Sequence, residues 1–394
     1  ITHADGTHLR YRNLYATLEA KATTEAFSVW KPNHRPFILT RSGFSGIQKY
    51  AALWTGDNHA SWQHLRDNLY QVINLGLSGV PFAGADVGGF GSGPGTLGVI
   101  KLRRKPELFQ RWVELGSLMP FFRIHTSKYS YSQDPWSYGD EILALTHKHI
   151  SRRYSLLHYI YSLFWQAHRQ GSPIVRPLFY EFADSSYEKT HLQFMLGPSL
   201  LAAPVLQPKI TEQIVELPAG EWYEFETGDL FRGGCTVPFP VSPGYYPLFI
   251  RAGSVIPFAR PGRNAFETLR NEIFVQVFPD NEVQGNLILD DGQSLDYHQD
   301  HIFEAYLKGK RDRNGDLALE WHIDKRGFIP AQSKMTLRLP PYYRMMTQKS
   351  KKIQGVSNTL SSDGRSAQVV EYELPLTQEW SATFIFRNIF SNEL

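Results

Sequence analysis

One cysteine, Cys235, occurs in 394 residues, so no intrachain disulfide can form. It lies in GGCTVPFP, where it reads as a small buried apolar residue and not as a nucleophile. Long hydrophobic runs are also missing. No stretch approaches the roughly 18 to 20 uninterrupted apolar residues of a membrane helix, and no membrane partner is expected. Charge of one sign is scarce: 41 Lys and Arg stand against 38 Asp and Glu, for a net charge of +3. That balance argues against a nucleic-acid partner held through its phosphates. The basic runs Lys101 to Lys105 and Lys308 to Arg313 read as solvated loop faces. The 14 histidines include no His-x-x-x-His pair backed by acids, so neither a metal site nor a cofactor is indicated. The opening ITHADGTH has no initiator Met, basic n-region or apolar h-region. It runs straight into structured-looking sequence, and a further segment is expected upstream.

What is present in excess is aromatic: 9 Trp, 20 Tyr and 25 Phe make up 14% of the chain. Most must be core, but rings also stack on the C–H faces of pyranoses. The length calls for two or three domains. Residues 1–170 alternate helix and buried strand. Leu14, Leu18, Ala22 and Ala26 recur at helical spacing, and RPFILT (35–40) is a short strand. Ala51 to Trp54 is the next strand. Ser61 caps a helix carrying Trp62, Leu65, Leu69, Val72 and Ile73, which ends at Gly76 and Gly79. GVPFAGAD (79–86) is a third strand, and Pro106 opens a helix with Leu108, Phe109, Trp112 and Leu115 on one face. PFFRIH (120–125) is a fourth strand, and a helical stretch from Asp140 to Gln170 stops at Gly171. Each strand ends in polar residues, as parallel strands do when their C-terminal ends carry chemistry. Four strands are half of what a (β/α)8 barrel needs. The fold expected is therefore α/β plus all-β: the C-terminal half of a TIM barrel (1–170), then a proximal (171–262) and a distal (263–394) β-sandwich domain. DDG at 290–292 reads as a hairpin turn.

The four strand ends bring together a guanidinium (Arg41), two carboxylates (Asp57 and Asp86), aromatics (Trp54 and Phe90), and Arg123 with His125. Sugar hydroxyls need this mixture of charged hydrogen-bonding groups and apolar rings. Taken singly, an Asp after glycine is usually a turn or a cap, and an Arg is usually an ion-pair partner. Their joint placement at strand ends makes the case.

These residues resemble family 31 of the glycoside hydrolases, the α-glucosidase and α-xylosidase family. The matches are RPFILTRS (35–42), WTGDN (54–58), GVPFAGADVGGF (79–90), RWVELGSLMPFFRIH (111–125), RPLFYEF (176–182), FMLGPSLLAAPVL (194–206) and PLFIRAGSVIP (247–257), in the family's order. The resemblance implies that Asp57 is the general acid/base and that Arg41 binds sugar hydroxyls. It places Trp54, Asp86 and Phe90 in the pocket wall, and makes His125 a further hydroxyl ligand supported by Arg123. In the family's Arg-Asn-His the middle residue is Asn, and here it is Ile124. The loop Gly91 to Lys105 is longer and more basic than usual, which points to altered subsites.

Retaining glycoside hydrolysis uses two carboxyl groups about 5 Å apart, one as nucleophile and one as acid and then base. The resemblance puts Asp86 in the wall, and the nucleophile on an Asp of a W-x-D-M-N-E-type motif that lies before RPFILTRS and is absent from this sequence. The expectation is thus part of a retaining α-glycosidase, α-glucosidase ahead of α-xylosidase or α-transglucosylase. Its substrate would be an oligosaccharide or α-glucoside. An N-terminal segment or partner chain would complete the barrel and bring the nucleophile. The readings competing with it are a non-catalytic carbohydrate-binding or scaffold chain, favoured by the missing nucleophile, and an α-glucan lyase of the same architecture.

Overall fold

The computed structural model describes residues 2–91, 105–128, 130–189, 192–332, 334–340, 343–348, 360–361, 369–376 and 381–388. The first long element is helix α1 (His8–Trp30), followed by strands β1 (Leu39–Thr40) and β2 (Ala52–Trp54) and helix α2 (Trp62–Leu77). The GVPFAGAD strand is split at Ala85 into β3 (Ala83–Gly84) and β4 (Asp86–Val87). Helix α3 (Pro106–Gly116), strand β5 (Arg123–Ile124) and helices α4 (Asp140–Ser155) and α5 (Leu157–Gln170) complete the first part. All pairings among these strands are parallel: β1 to β2 through Leu39↔Ala52, β2 to β3 through Trp54↔Gly84, and β4 to β5 through Asp86↔Arg123. Neighbours in sequence are therefore neighbours in space, and all four strand ends point the same way. The helix boundaries follow local chemistry. The Ser61 side chain accepts from the His64 N–H as an N-cap, and Gly171 takes a left-handed conformation (φ 71°) at the end of α5.

Beyond Gly171 the chain is β-rich. A six-stranded antiparallel sheet runs in the order Leu230–Arg232, Glu221–Glu224, Leu248–Arg251, Leu200–Ala202, Phe194–Leu196, Val175–Arg176, and Glu212–Leu217 pairs with Cys235–Pro240 as a ribbon. Its core is continuous with that of α2, α3, α4 and α5. The distal part has its own core between two five-stranded sheets. One of these contains Val255–Ala259, paired with Ile273–Val277; the other contains Glu282–Leu289, Phe303–Arg311 and Leu317–Arg326. The architecture is a half TIM barrel followed by β-sandwich domains.

Several local expectations are corrected. Cys235 is exposed: it begins a two-stranded ribbon whose inward face is occupied by Phe239, and it lies beyond the core. Leu14 and Leu18 are also exposed, because α1 turns Ala20 inward, against Ile47, Leu53 and Val80. Residues Leu108 to Gly116 of α3 are buried on every side, since the loop at Ser242–Gly244 covers the face away from the barrel. There Glu114 accepts from the Gly244 N–H (3.0 Å) and pairs with Arg111 (2.9 Å). DDG does not close a tight hairpin. Gly292 turns the chain, and the connection continues through a 3-10 turn at Asp296–Gln299 before Phe303. The Asp290 side chain is buried and receives Arg35 Nη2 (3.0 Å) and the Tyr161 hydroxyl (2.5 Å), clasping the distal loop to the entry of β1.

Burial leaves one acid-sensitive point in α5. His158 is fully buried with neither ring nitrogen partnered, and burial lowers its pKa to about 4. Below its ordinary 6.5 the unfolded chain takes up a proton that the folded chain refuses until about pH 4, so stability falls as pH falls through this window. The loss is about 1.4 kcal/mol per pH unit. Buried His149, whose pKa burial lowers to about 3, adds a like loss over this range, so urea unfolding from pH 6.5 down to 4 should show His158→Leu reducing the slope by about 1.4 kcal/mol per pH unit without abolishing it. An unchanged slope in the variant would contradict the assignment.

Candidate active site

The site is built at the C-terminal ends of β1, β2, β4 and β5. After Trp54 the chain leaves β2 through Gly56, whose φ of 83° is left-handed; an added Cβ there would stand 3.5 Å from Arg41 Nε. The bend brings Asp57 beside Arg41, which follows β1. Arg41 Nη2 is 3.5 Å from Asp57 Oδ2, and the side chains remain 60% and 44% exposed. A pair so exposed contributes at most about 1 kcal/mol; its effect is to orient two polar groups from adjacent strands toward one region.

On the next two strands the environment is drier. Asp86 is fully buried, and Arg123 Nη2 donates to its Oδ1. Burial raises the Asp86 pKa; the hydrogen bond and charge of Arg123 and the charge of His125 oppose the rise, and the charge of Asp57 adds to it. The Arg123 guanidinium lies over two rings, 5.3 Å from the Trp54 centroid and 5.5 Å from that of Phe121. Trp54 Nε1, Asp86 Oδ2 and Arg123 Nε are buried with no hydrogen-bond partner. Phe90 stacks on His125 with centroids 5.4 Å apart. The seven residues expected at the site thus fall into two linked groups: Arg41–Asp57, and Trp54–Arg123–Asp86, to which Phe90 and His125 attach through the turn after β4 and the end of β5. Most of the loop between Gly91 and Lys105 lies outside the described residues.

That turn is held by residues to which no role had been given. Asn58 is buried; its Oδ1 accepts from the Phe90 N–H (2.8 Å) and its Nδ2 donates to the Asp86 carbonyl (3.2 Å). Gln133 Nε2 donates to the carbonyls of Gly88 (3.2 Å) and Gly89 (2.6 Å). Gly89 is required by contact as well as by its φ of 87°, since a Cβ would come within 2.4 Å of Ala60 N. The sequence signal for Asn58 was its place in WTGDN, directly after the acid. Gln133 carried none. Among the described residues no group of three His, Cys, Asp or Glu is arranged to hold a metal ion, and no helix is long and apolar enough to cross a membrane.

Comparison with known proteins identifies the family. The profile of the glycosyl hydrolases family 31 TIM-barrel domain matches residues 1–163, and that of the family 31 C-terminal domain matches residues 171–256. This chain belongs to glycoside hydrolase family 31. It is 36% identical over 313 residues to alpha-glucosidase 2 of Bacillus thermoamyloliquefaciens, covering 78% of this chain and 38% of that protein. It is 33% identical over 400 residues to neutral alpha-glucosidase C of Macaca fascicularis, covering 98% of this chain and 50% of that one. The family 31 chain therefore spans half or less of these relatives. Among solved structures, the family 31 dextranase of Flavobacterium johnsoniae has the same fold (TM-score 0.87, 24% identity, 98% of this chain and 50% of that chain). A chain of the ER glucosidase II heterodimeric complex, which consists of a catalytic subunit and the binding domain of the regulatory subunit, superposes with a TM-score of 0.83 at 27% identity, over 98% of this chain and 43% of the other.

Proposed function

We propose that the chain is the acid/base-bearing part of a retaining α-glucosidase that releases terminal α-linked glucosyl residues. The observation that carries this reading is the placement of Asp57 and Arg41 3.5 Å apart, on adjacent parallel strand ends beside the buried Asp86 and its half-buried partner Arg123. Asp57 protonates the glycosidic oxygen and then deprotonates the incoming water. Arg41 and His125 hold sugar hydroxyls, and Trp54, Phe90, Asp86 and Arg123 form the wall. Asp86 is a poor nucleophile, because it is fully buried and one of its oxygens is held by Arg123. The attacking carboxylate then belongs to polypeptide outside this sequence, on strands that complete the barrel. The exposure of Leu9, Leu14, Tyr15, Leu18 and Trp30 along α1 supports such a covering segment. The curated relatives named above are called α-glucosidases, which favours glucose over xylose. The divisions at 170 and 262 belong to the same reading.

The test is turnover of an aryl α-glucoside by residues 1–394 alone and by the same chain joined to a segment bearing the missing strands. Turnover is expected only in the second case. Full turnover by the chain alone would refute the division of the two carboxylates between segments.

A further inference from the structure

We infer that Asn58 is a positioning residue, which couples the acid/base strand end to the turn carrying Asp86 and Phe90 so that proton donor and pocket wall keep a fixed geometry. The inference rests on the glycosidase reading for its kinetic consequence, but not for its structural one.

Three contacts run from this one residue to the turn. Besides the side-chain bonds to the Phe90 N–H and the Asp86 carbonyl, the Asn58 carbonyl accepts from the Gly91 N–H (2.9 Å), and the Gly91 carbonyl then accepts from the Ala60 N–H (2.9 Å). The amide orientation is fixed by chemistry: its oxygen meets a donor and its nitrogen meets an acceptor, so the flipped form would lose both bonds. Asn58 is 4% exposed, and removal of its side chain leaves the Phe90 N–H and the Asp86 carbonyl without the partners it supplies. Gln133 grips the other side of the same turn through the Gly88 and Gly89 carbonyls. The turn carries no regular ladder of its own beyond Val87; these two amides hold it together with backbone bonds at Gly91 and from the Ser127 N–H to the Phe90 carbonyl (2.9 Å). Their target is functional, since Phe90 stacks on His125 and the Asp86 side chain is held by Arg123. Asp57 is the immediate neighbour of Asn58, and any shift of the turn relative to Asn58 is a shift of the wall relative to the proton donor.

The test compares Asn58→Ala and Asn58→Asp with the unsubstituted protein in the complete enzyme. It reads hydrogen exchange in the peptide 86–91, and kcat and KM for an aryl α-glucoside at a temperature where each protein is fully folded. In Asn58→Ala, exchange rises at 86–91 and stays unchanged in α2, while kcat/KM falls about 100-fold with kcat lowered and KM raised, as a misplacement of about 1 Å at a reacting centre would produce. Asn58→Asp keeps the acceptor for the Phe90 N–H, loses the donor to the Asp86 carbonyl and sets a carboxylate oxygen against that carbonyl. Protection of Phe90 is then largely restored, and the alkaline limb of the kcat/KM profile moves to higher pH, because a second negative charge beside a carboxylic acid favours its protonated form. A purely structural role would lower the unfolding midpoint and leave kcat, KM and the pH profile of the folded enzyme unchanged. Native exchange at 86–91 in Asn58→Ala, or native kcat and KM, would overturn the inference. An unsubstituted enzyme inert toward α-glucosides would remove the glycosidase reading alone; the exchange contrast would still uphold or overturn the coupling.

Discussion

Asp57→Asn in the complete enzyme should lower kcat/KM for alkyl α-glucosides by about 1,000-fold or more, within the range that general acid–base catalysis contributes. α-Glucosyl fluoride should lose far less in the first step, because fluoride departs without a proton. Hydrolysis of the glycosyl-enzyme would then limit the rate, since that step needs the same residue as a base. Azide attacks without a general base, so it should restore turnover and give an α-glucosyl azide with net retention. Asparagine is nearly isosteric with aspartate and can still lie beside Arg41, 3.5 Å from Asp57 in the native chain, so the expected loss is one of chemistry more than of folding. Equal losses on alkyl glucosides and on the fluoride, with no azide rescue, would remove Asp57 from the proton-donor role.

Arg123→Met should be the most damaging single change to the stability of the site. It leaves Asp86, fully buried, with an unpaired carboxylate; breaking a fully buried pair from one side costs roughly 3–5 kcal/mol, and the 31% exposure of Arg123 places this loss at or below the lower end of that range. The guanidinium also lies over Trp54 and Phe121, so the pocket wall loses packing with its charge partner. The loss should shrink on acidification. Burial already raises the Asp86 pKa. Without Arg123 it rises further, and as pH drops through the folded-state value toward the ordinary carboxylate range the unfavourable charge disappears from the folded state. Asp86→Asn placed in the Arg123→Met background should recover most of the stability at neutral pH. Urea denaturation of the three proteins at neutral and acidic pH measures both effects. A loss below about 1 kcal/mol, or no recovery in the double variant, would show that the pair is not the buried interaction described.

The parts of this structure legible in the sequence were those encoded by short-range chemistry. Ser61 and Gly171 mark helix ends because a hydroxyl cap and a left-handed glycine act within one turn. The parallel strand ends were visible because each buried run stops at a charged or polar residue, and Arg41, Asp57, Asp86 and Arg123 lie at those stops. What escaped was set by partners distant in sequence. The clasp of Arg35 by Asp290 spans 255 positions, and nothing in DDG distinguishes it from an ordinary turn. The burial of Leu108 to Gly116 on every side of α3 depends on a loop at Ser242–Gly244 that the helix's own periodicity cannot announce. The inward face of α1 was obscured because Ala20 is smaller than the leucines on the exposed side. Asn58 was passed over because an uncharged amide next to a catalytic candidate looks like part of the turn; its importance lies in facing one donor and one acceptor of another turn.

The central claim, that Asp57 works opposite a carboxylate supplied by other polypeptide, is tested most directly by trapping the glycosyl-enzyme. The complete enzyme is inactivated with 5-fluoro-α-glucosyl fluoride, digested, and its labelled peptide sequenced by mass spectrometry. The label should fall on an aspartate outside these 394 residues, with none on Asp57 or Asp86. A label on either of those two residues would contradict the claim.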